Sequence, residues 1–560
     1  MIINTPQTRL SLIALFLLFV GFLSAQQNMG VNIYDREATT DGYIFFSPND
    51  YTDSYLIDNC GFLVNVWDRF QEPGLSCHLT PSGLMLRTNK VNQPEFFQAS
   101  TGGNLELVDW NNNTIWSADF NEREYIQHHD AVLMPNGNII YLGWERINEE
   151  EQIALGRDPN RVSRPNLWGE FVQEVRPIGN SNYEVVWEWR LKDHFIQDFS
   201  ASAPNYGVIR DDIGKVDINY LGPANFSDDD WWHCNALDYN PELDQILINS
   251  RSNGEMWIID HSTTTAQASG TTGGNSNKGG ELLFRWGNPE AYNRGFRSDL
   301  RMYGSHGNYW IPEGYPNAGK IMYFNNGDER PEGYYSTVEV VGPVFENGEY
   351  QKNSNNRYYP LEPEIIYQAS PNPFDFMSRY LSNAKQLSTG NVFINEGGNG
   401  RLFEVDSDGN IVWQYLSPVD FSGPNQQGDF ISSWSRDIFR AYKYEPDFPG
   451  FDGVDLSSGE LIEGDSQYNL CKDVSTIDDQ KIEGLEMTYD MFSSRLNISN
   501  LTNHNLQIQI MDTNGRLVRS EDISQNQSII DLNYLQAGIY IITLSSSRSE
   551  SSLAKKIVRI

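Results

Sequence analysis

One β-hairpin pattern recurs along this chain and restricts it to a few architectures. Each copy runs strand, turn, strand, and closes near an aromatic residue. The copies are YLIDNCGFLVNVW (55–67), LELVDWNNNTIW (105–116), VQEVRPIGNSNYEVVW (172–187), MWIIDHSTT…ELLFRW (256–286) and RLFEVDSDGNIVW (401–413), with a weaker one in VEVVGPVFENGEY…EIIYQA (338–369). Period-2 hydrophobicity around Asn, Asp or Gly is the pattern of a hairpin. A second element, a turn leading into one further strand, follows in PSGLMLRT (81–88), PNGNIIYL (135–142), NPELDQILIN (240–249), NAGKIMYF (317–324) and STGNVFIN (388–395). DGYIFFSP (41–48) supplies a sixth strand of this type ahead of the first hairpin. Six such units predict an all-β ring closed by its two ends, a six-bladed β-propeller over residues 26–451, because radial repetition leaves no long open edge. The irregular spacing of the units leaves a β-sandwich or β-solenoid as the alternative.

The rest of the chain reads as appendages. Arg9 precedes the apolar run LSLIALFLLFVGFL (10–23), and Ser24 and Ala25 follow it. This is the pattern of a signal peptide over 1–25, so the chain is expected to be exported. Residues 452–484 form a polar, acidic linker, and 485–560 carry a compact all-β pattern sized for a small β-sandwich. The net charge of −35 repels phosphate backbones, which argues against nucleic acid as a partner. Four cysteines (60, 77, 234 and 471) are too few for a disulfide scaffold, although Cys60 and Cys77 could pair after export.

The repeat gives a frame for comparing polar residues. His129 lies six residues before Pro135, and His306 six before Pro312; His233 lies eight before Pro241, across a longer turn. Three units thus place a histidine at the entrance of an equivalent strand, where others carry Leu75 and Ser382. If that strand is innermost, the three imidazoles converge on the central channel. His128 is the alternative to His129, since adjacent strand positions face opposite ways. Arg251, expected at the far end of the His233 strand, offers a planar fork for oxyanions. His78, His194, His261 and His504 lack this context and are expected to be structural or exposed.

Three imidazoles beside a guanidinium suit transfer of an anionic group: one histidine as nucleophile, another moving the acceptor's proton, and arginine on the oxygens of the moving group. Sulfuryl and phosphoryl groups both fit. Clustered histidines also bind transition metals, but the arginine opposes a cation. With no phosphate-binding loop, a nucleotide donor is unsupported, and no cofactor is expected. A non-catalytic exported propeller binding glycans or polyphenols, and a histidine-ligated metalloenzyme, remain as alternatives.

Residues 42–451 resemble the bacterial arylsulfate sulfotransferases, periplasmic six-bladed propellers. The matching segments are GYIFFSP…YLIDNCGFLVNVW, HHDAVLMPNGN, WWHCNALDYNPELDQILINSR, HGNYWIPEGYPNAGKIMYFNNG and GNGRLFEVDSDGNIVWQY. The resemblance implies transfer of a sulfuryl group from an aryl sulfate to a phenol, with His306 as the nucleophile that becomes sulfohistidine. His233 and Arg251 would bind the sulfuryl oxygens, and His129 would complete the cage. Trp231, Trp232, Tyr303 and Tyr309 are candidate walls for the aryl rings. Gly307 and Asn308 follow His306 where other members have His-Asp, which leaves its orienting partner open. The paired cysteines of some members have no counterpart between 290 and 330. The hairpin MDTNGRLV, the segment DLNYLQAGIYIITL and the basic end KKIVRI resemble the sorting domain of the type IX secretion pathway, without the Asn-Pro that often begins it. That resemblance implies the type IX machinery as a partner, transit through the periplasm, and release or display at the cell surface.

Overall fold

Each repeat folds as a four-stranded antiparallel sheet in which successive strands are neighbours. In one, Pro73–Leu79, Met85–Lys90, Gly103–Val108 and Thr114–Asp119 pair in that order. The recurring hairpins are third and fourth strands, the turn-plus-strand elements are second strands, and the strand before each turn is the first. The computed structural model describes residues 29–464 apart from 97, 99, 163, 224–228 and 433–434, then 470, 471 and the strands between 485 and 559. The expected signal peptide and His504 lie outside these residues.

Six such sheets are present among the described residues. Their first strands are Pro73–Leu79, Tyr125–Leu133, Cys234–Asn240, His306–Trp310, Asn383–Gln386 and Ile438–Tyr444. Each packs beside the next, and the last returns to the first, so the unit is a β-propeller with these strands around its axis. The closing sheet draws on both ends of the chain. Tyr43–Pro48 is its second strand, followed by Ser54–Asp58 and Leu63–Trp67, while the first strand comes from Ile438–Tyr444. Gly30–Tyr34 adds a fifth strand to the neighbouring sheet by pairing with Ile411–Leu416.

The aromatic residue at the end of each hairpin joins one sheet to the next. Trp67 donates its indole N–H to the Asp109 carbonyl, Trp116 to Asn182, Trp286 to Pro360 and Trp413 to Asn59; Trp187 donates to the Thr263 hydroxyl. Each acceptor lies in the turn between the third and fourth strands of the following sheet or, for Asn182, at the start of the fourth. In the weak copy Tyr367 stands in this place and packs against Phe403 of the next sheet. A bulky apolar ring fills the wedge between sheets, and its one polar atom is satisfied by the neighbour. At the closure, Lys443 and Glu404 form a fully buried ion pair at 2.6 Å.

The chain divides into two compact units, one ending at Ser466 and the other beginning at Gln467. The segment expected as linker from 452 begins attached to the propeller: Leu461 bridges Phe62, and Leu63 N–H donates to the Glu460 carbonyl at 2.9 Å. The second unit has a three-stranded and a four-stranded antiparallel sheet. Leu496, Ile498 and Ile530 of one meet Ile508, Ile510 and Ile542 of the other in a shared core, which makes it a β-sandwich. The suggested Cys60–Cys77 pairing is not formed: Cys77 and Cys234 are free and buried.

Trp116→Phe keeps most of the ring but orphans the Asn182 carbonyl. It should lower unfolding stability by about 1–3 kcal/mol, read as a fall in the guanidinium midpoint without change of slope.

Candidate active site

The first strands do not begin as regular ladders. Pairing slips between Pro73 and Cys77, between Gln127 and Ala131, between Cys234 and Ala236, and between His306 and Tyr309. At these slips the backbone turns left-handed: φ is 91° at Leu75, 48° at His129 and 47° at His233, and 67° at Gly307 beside His306. Ser382, just ahead of Asn383–Gln386, has φ of 88°. A non-glycine residue held there is strained by about 1–3 kcal/mol, and a bulge re-aims its side chain. Five of the six strand entrances thus repeat a left-handed turn, and the side chain placed there varies from sheet to sheet.

The expected histidines meet there. The His129 and His233 rings stand edge to face with centroids 4.8 Å apart. His306 lies within electrostatic reach of Arg251, His233 and Arg440, and His129 within reach of His233, His306 and Arg440. Arg251 is not at the far end of the His233 strand. It ends the antiparallel neighbour, so the hairpin returns it beside His233, and its N–H donates to the His233 carbonyl at 3.2 Å. Its guanidinium reaches Asp328 at 3.4 Å.

Hydrogen bonds set which nitrogen of each imidazole is free. The Asn326 amide donates to the carbonyls of Ser378 (2.8 Å) and Leu381 (3.1 Å), so its oxygen faces His306 Nδ1 at 2.8 Å. His306 Nδ1 therefore carries the proton and Nε2 the lone pair. His233 Nδ1 donates to Asp230 at 2.5 Å, which leaves its Nε2 free as well. His128 does not enter the cluster. It stacks on Trp144 at 3.9 Å and links His129 Nδ1 (2.8 Å) to Glu170 (2.9 Å) in a buried chain. With Glu170 ionised, the protons sit on His128 Nε2 and His129 Nδ1, and His129 Nε2 is a base. A proton taken up at that atom can pass along the chain to Glu170.

Burial dominates the electrostatics. It holds His306 and His129 well below the usual imidazole range, with Arg251 adding to the effect on His306 and His233 on His129. His128 is driven by burial down to about 3. Burial pushes Glu170 well above the usual carboxylate range, so the chain takes up a proton only at a pH high enough to keep Glu170 ionised.

The aromatic candidates are placed differently. Trp231 and Trp232 are core: one donates to the Tyr220 carbonyl under the Arg157 guanidinium, and the other stacks on Phe195. Tyr303 lines a small crevice with Arg251 and Asp328. Tyr309 lines a cavity along the middle and far part of the first strands. Cys234 is buried, and its N–H donates to Glu170 at 2.9 Å, so this cysteine belongs to the support of the His128 chain. His194 and His261 are structural, the first bonded to the Ala268 carbonyl and the second set between Glu174 and Asp244. Sequence reading missed Glu170, Asn326 and Arg440. Arg440 sits on the last strand of the propeller and pairs with buried Asp130 at 2.7 Å. Asp230 was visible three residues before His233, in the same motif.

Comparison with known proteins now bears on this geometry. Among curated proteins none matches the chain. Solved structures that align with it include a protein of unknown function from Bacteroides caccae, at 11% identity over 68% of this chain and 95% of that one, with a TM-score of 0.35. Another is the periplasmic gluconolactonase PpgL of Pseudomonas aeruginosa, at 9% identity over 87% and 99%, with a TM-score of 0.30. At such scores neither bears on function. The C-terminal residues 492–559 match the secretion system C-terminal sorting domain, which implies export by the type IX route. Residues 97–414, more than half of the sequence, match the arylsulfotransferase (ASST) family, and the chain belongs to that family.

Proposed function

We propose that the protein transfers a sulfuryl group from an aryl sulfate to a phenol through a covalent adduct on His306. The observation that carries this is the Asn326 contact: its oxygen accepts from Nδ1–H and so leaves the lone pair on Nε2, in a ring that burial keeps neutral. His306 Nε2 attacks the sulfur; the N–S bond forms, the S–O bond to the arene breaks, and the phenolate leaves. The positive charge of the sulfonated ring is met by the Asn326 oxygen. Arg251 donates to the sulfuryl oxygens, and His233 does so in its imidazolium form, with Nδ1–H on Asp230 and Nε2–H on the sulfuryl group. In the second half the acceptor phenol gives its proton to His129 Nε2 while its oxygen attacks sulfur, and the N–S bond breaks. The proton then passes through His128 to Glu170. The Arg251 guanidinium within reach of the histidines favours an anion here over a metal ion.

The test is release of nitrophenol from 4-nitrophenyl sulfate, with and without phenol and chelator. Sustained release that needs phenol but no metal supports the proposal; release that chelator abolishes, or none from any aryl sulfate, sinks it. His306→Ala should abolish both the first turnover and the steady state. His129→Gln should keep the first-turnover burst but lower the steady-state rate about 10²–10⁴-fold, because only the acceptor step needs its base. The pH profile follows from His306, which must be unprotonated to attack. Its pKa lies below 6.5, so activity should persist under pH 6.5; Arg251→Gln removes a cation, raises that pKa and moves the acid limb of kcat/KM upward.

A further inference from the structure

The histidines occupy the entrances of the first strands. A separate cavity lies at the middle and far ends of the same strands. Its inner part, about 140 Å³, is lined by His78, Asp130, Asp238, Asn308, Lys385 and Arg440 among others. It opens into a funnel of about 870 Å³ that shares His78, Asp238, Tyr309, Lys385 and Tyr442 with it. None of the transfer steps above uses these groups.

The inner part holds polar groups without partners. Asn308 is 3% exposed, yet neither its amide nitrogen nor its oxygen makes a hydrogen bond among the described residues. Arg440 Nε and His78 Nδ1 are likewise unpaired. The Lys385 ammonium lies 3.3 Å over the Tyr309 ring and forms no ion pair among the described residues. Buried polar groups left in this state are costly, and a ligand that pairs them recovers the loss. Donors are in surplus: the ammonium, the Asn308 amide and Arg440 Nε face one amide oxygen and one imidazole nitrogen. A group made only of acceptor oxygens fits that surplus. The only carboxylates lining the inner part are Asp130, which is spent on Arg440, and Asp238, which accepts the Trp310 N–H at 2.8 Å.

The funnel specifies the rest of the ligand. Tyr239, Trp310, Tyr315, Tyr444 and Phe448 line it, a set of faces suited to a planar ring. Glu242, Glu313, Glu445 and Asp447 also line it and repel a second negative group. We infer that this cavity binds an arene carrying one anionic oxygen-bearing group, with the anion on Lys385 and Asn308 and the ring in the funnel. Burial lowers Lys385 to about 8, so binding should weaken above that pH as the ammonium loses its proton.

Calorimetric titration of the full-length protein with 4-toluenesulfonate tests this, because a sulfonate cannot be transferred. The site should be retained in Arg251→Gln, and its Kd should rise at least tenfold in Lys385→Met and in Asn308→Leu, each checked for an unchanged thermal transition. Titration with 4-methylbenzoate separates the sources: binding at the same Lys385-dependent site marks a general aromatic anion, and binding of the sulfonate alone marks a sulfate ester. If toluenesulfonate binding is untouched by both cavity variants, or acetate binds as tightly as toluenesulfonate, the inference is overturned. The outcome is independent of sulfuryl transfer, because Lys385 and Asn308 take no part in the proposed reaction and the titration reads binding alone.

Discussion

Everything in the propeller depends on each sheet being seated against the next, and the tryptophan at the end of the hairpin does this. A sheet that is apolar on both faces cannot stand alone in water. Its outermost strand carries a large ring into the wedge between sheets, and the indole N–H finds an acceptor in the outer turn of the neighbour. The bond is directional while the packing is not, so the pair sets both the spacing and the angular step. Around a ring such steps must sum to closure, and the last gap is filled by a strand from the C-terminal end of the propeller paired to one from its N-terminal end.

Closure creates the axis, and the axis makes the site. The strained turn at the first-strand entrances is a property of the architecture, since it recurs with Leu75 and Ser382 as well as with the histidines. Chemistry enters through which side chain each sheet places there. The arrangement concentrates imidazoles where water is scarce and guanidiniums are near, and both effects favour the neutral ring. A neutral imidazole with one nitrogen fixed by a hydrogen bond is a nucleophile or a base at its other nitrogen. Asn326 and the His128–Glu170 chain each supply that fixed bond by different means.

The legible part of the site consisted of residues that could be compared between repeats. His129, His233 and His306 share a position relative to the turn that follows them, so the repeat frame exposed them. The same frame misled on Arg251, because treating the hairpin as one strand separated residues that the turn brings together. Glu170, Asn326 and Arg440 have no equivalent position in the repeat. Glu170 lies on a third strand and faces inward across its own sheet. Arg440 lies on a strand without its own turn motif, because its partner strand sits at the other end of the chain.

By itself the sequence determined the hairpin repeat, the ring that such a repeat favours, the separate C-terminal sandwich and the three histidines at equivalent entrances. These are properties of periodicity and local turn chemistry, which a linear chain displays. Tertiary structure alone decided which nitrogen of each imidazole is free, how the buried charges pair, that Trp231 and Trp232 are core, and that a second cavity opens at the far ends of the same strands. Those outcomes rest on contacts between residues tens to hundreds of positions apart, brought within hydrogen-bond distance only when the ring closes.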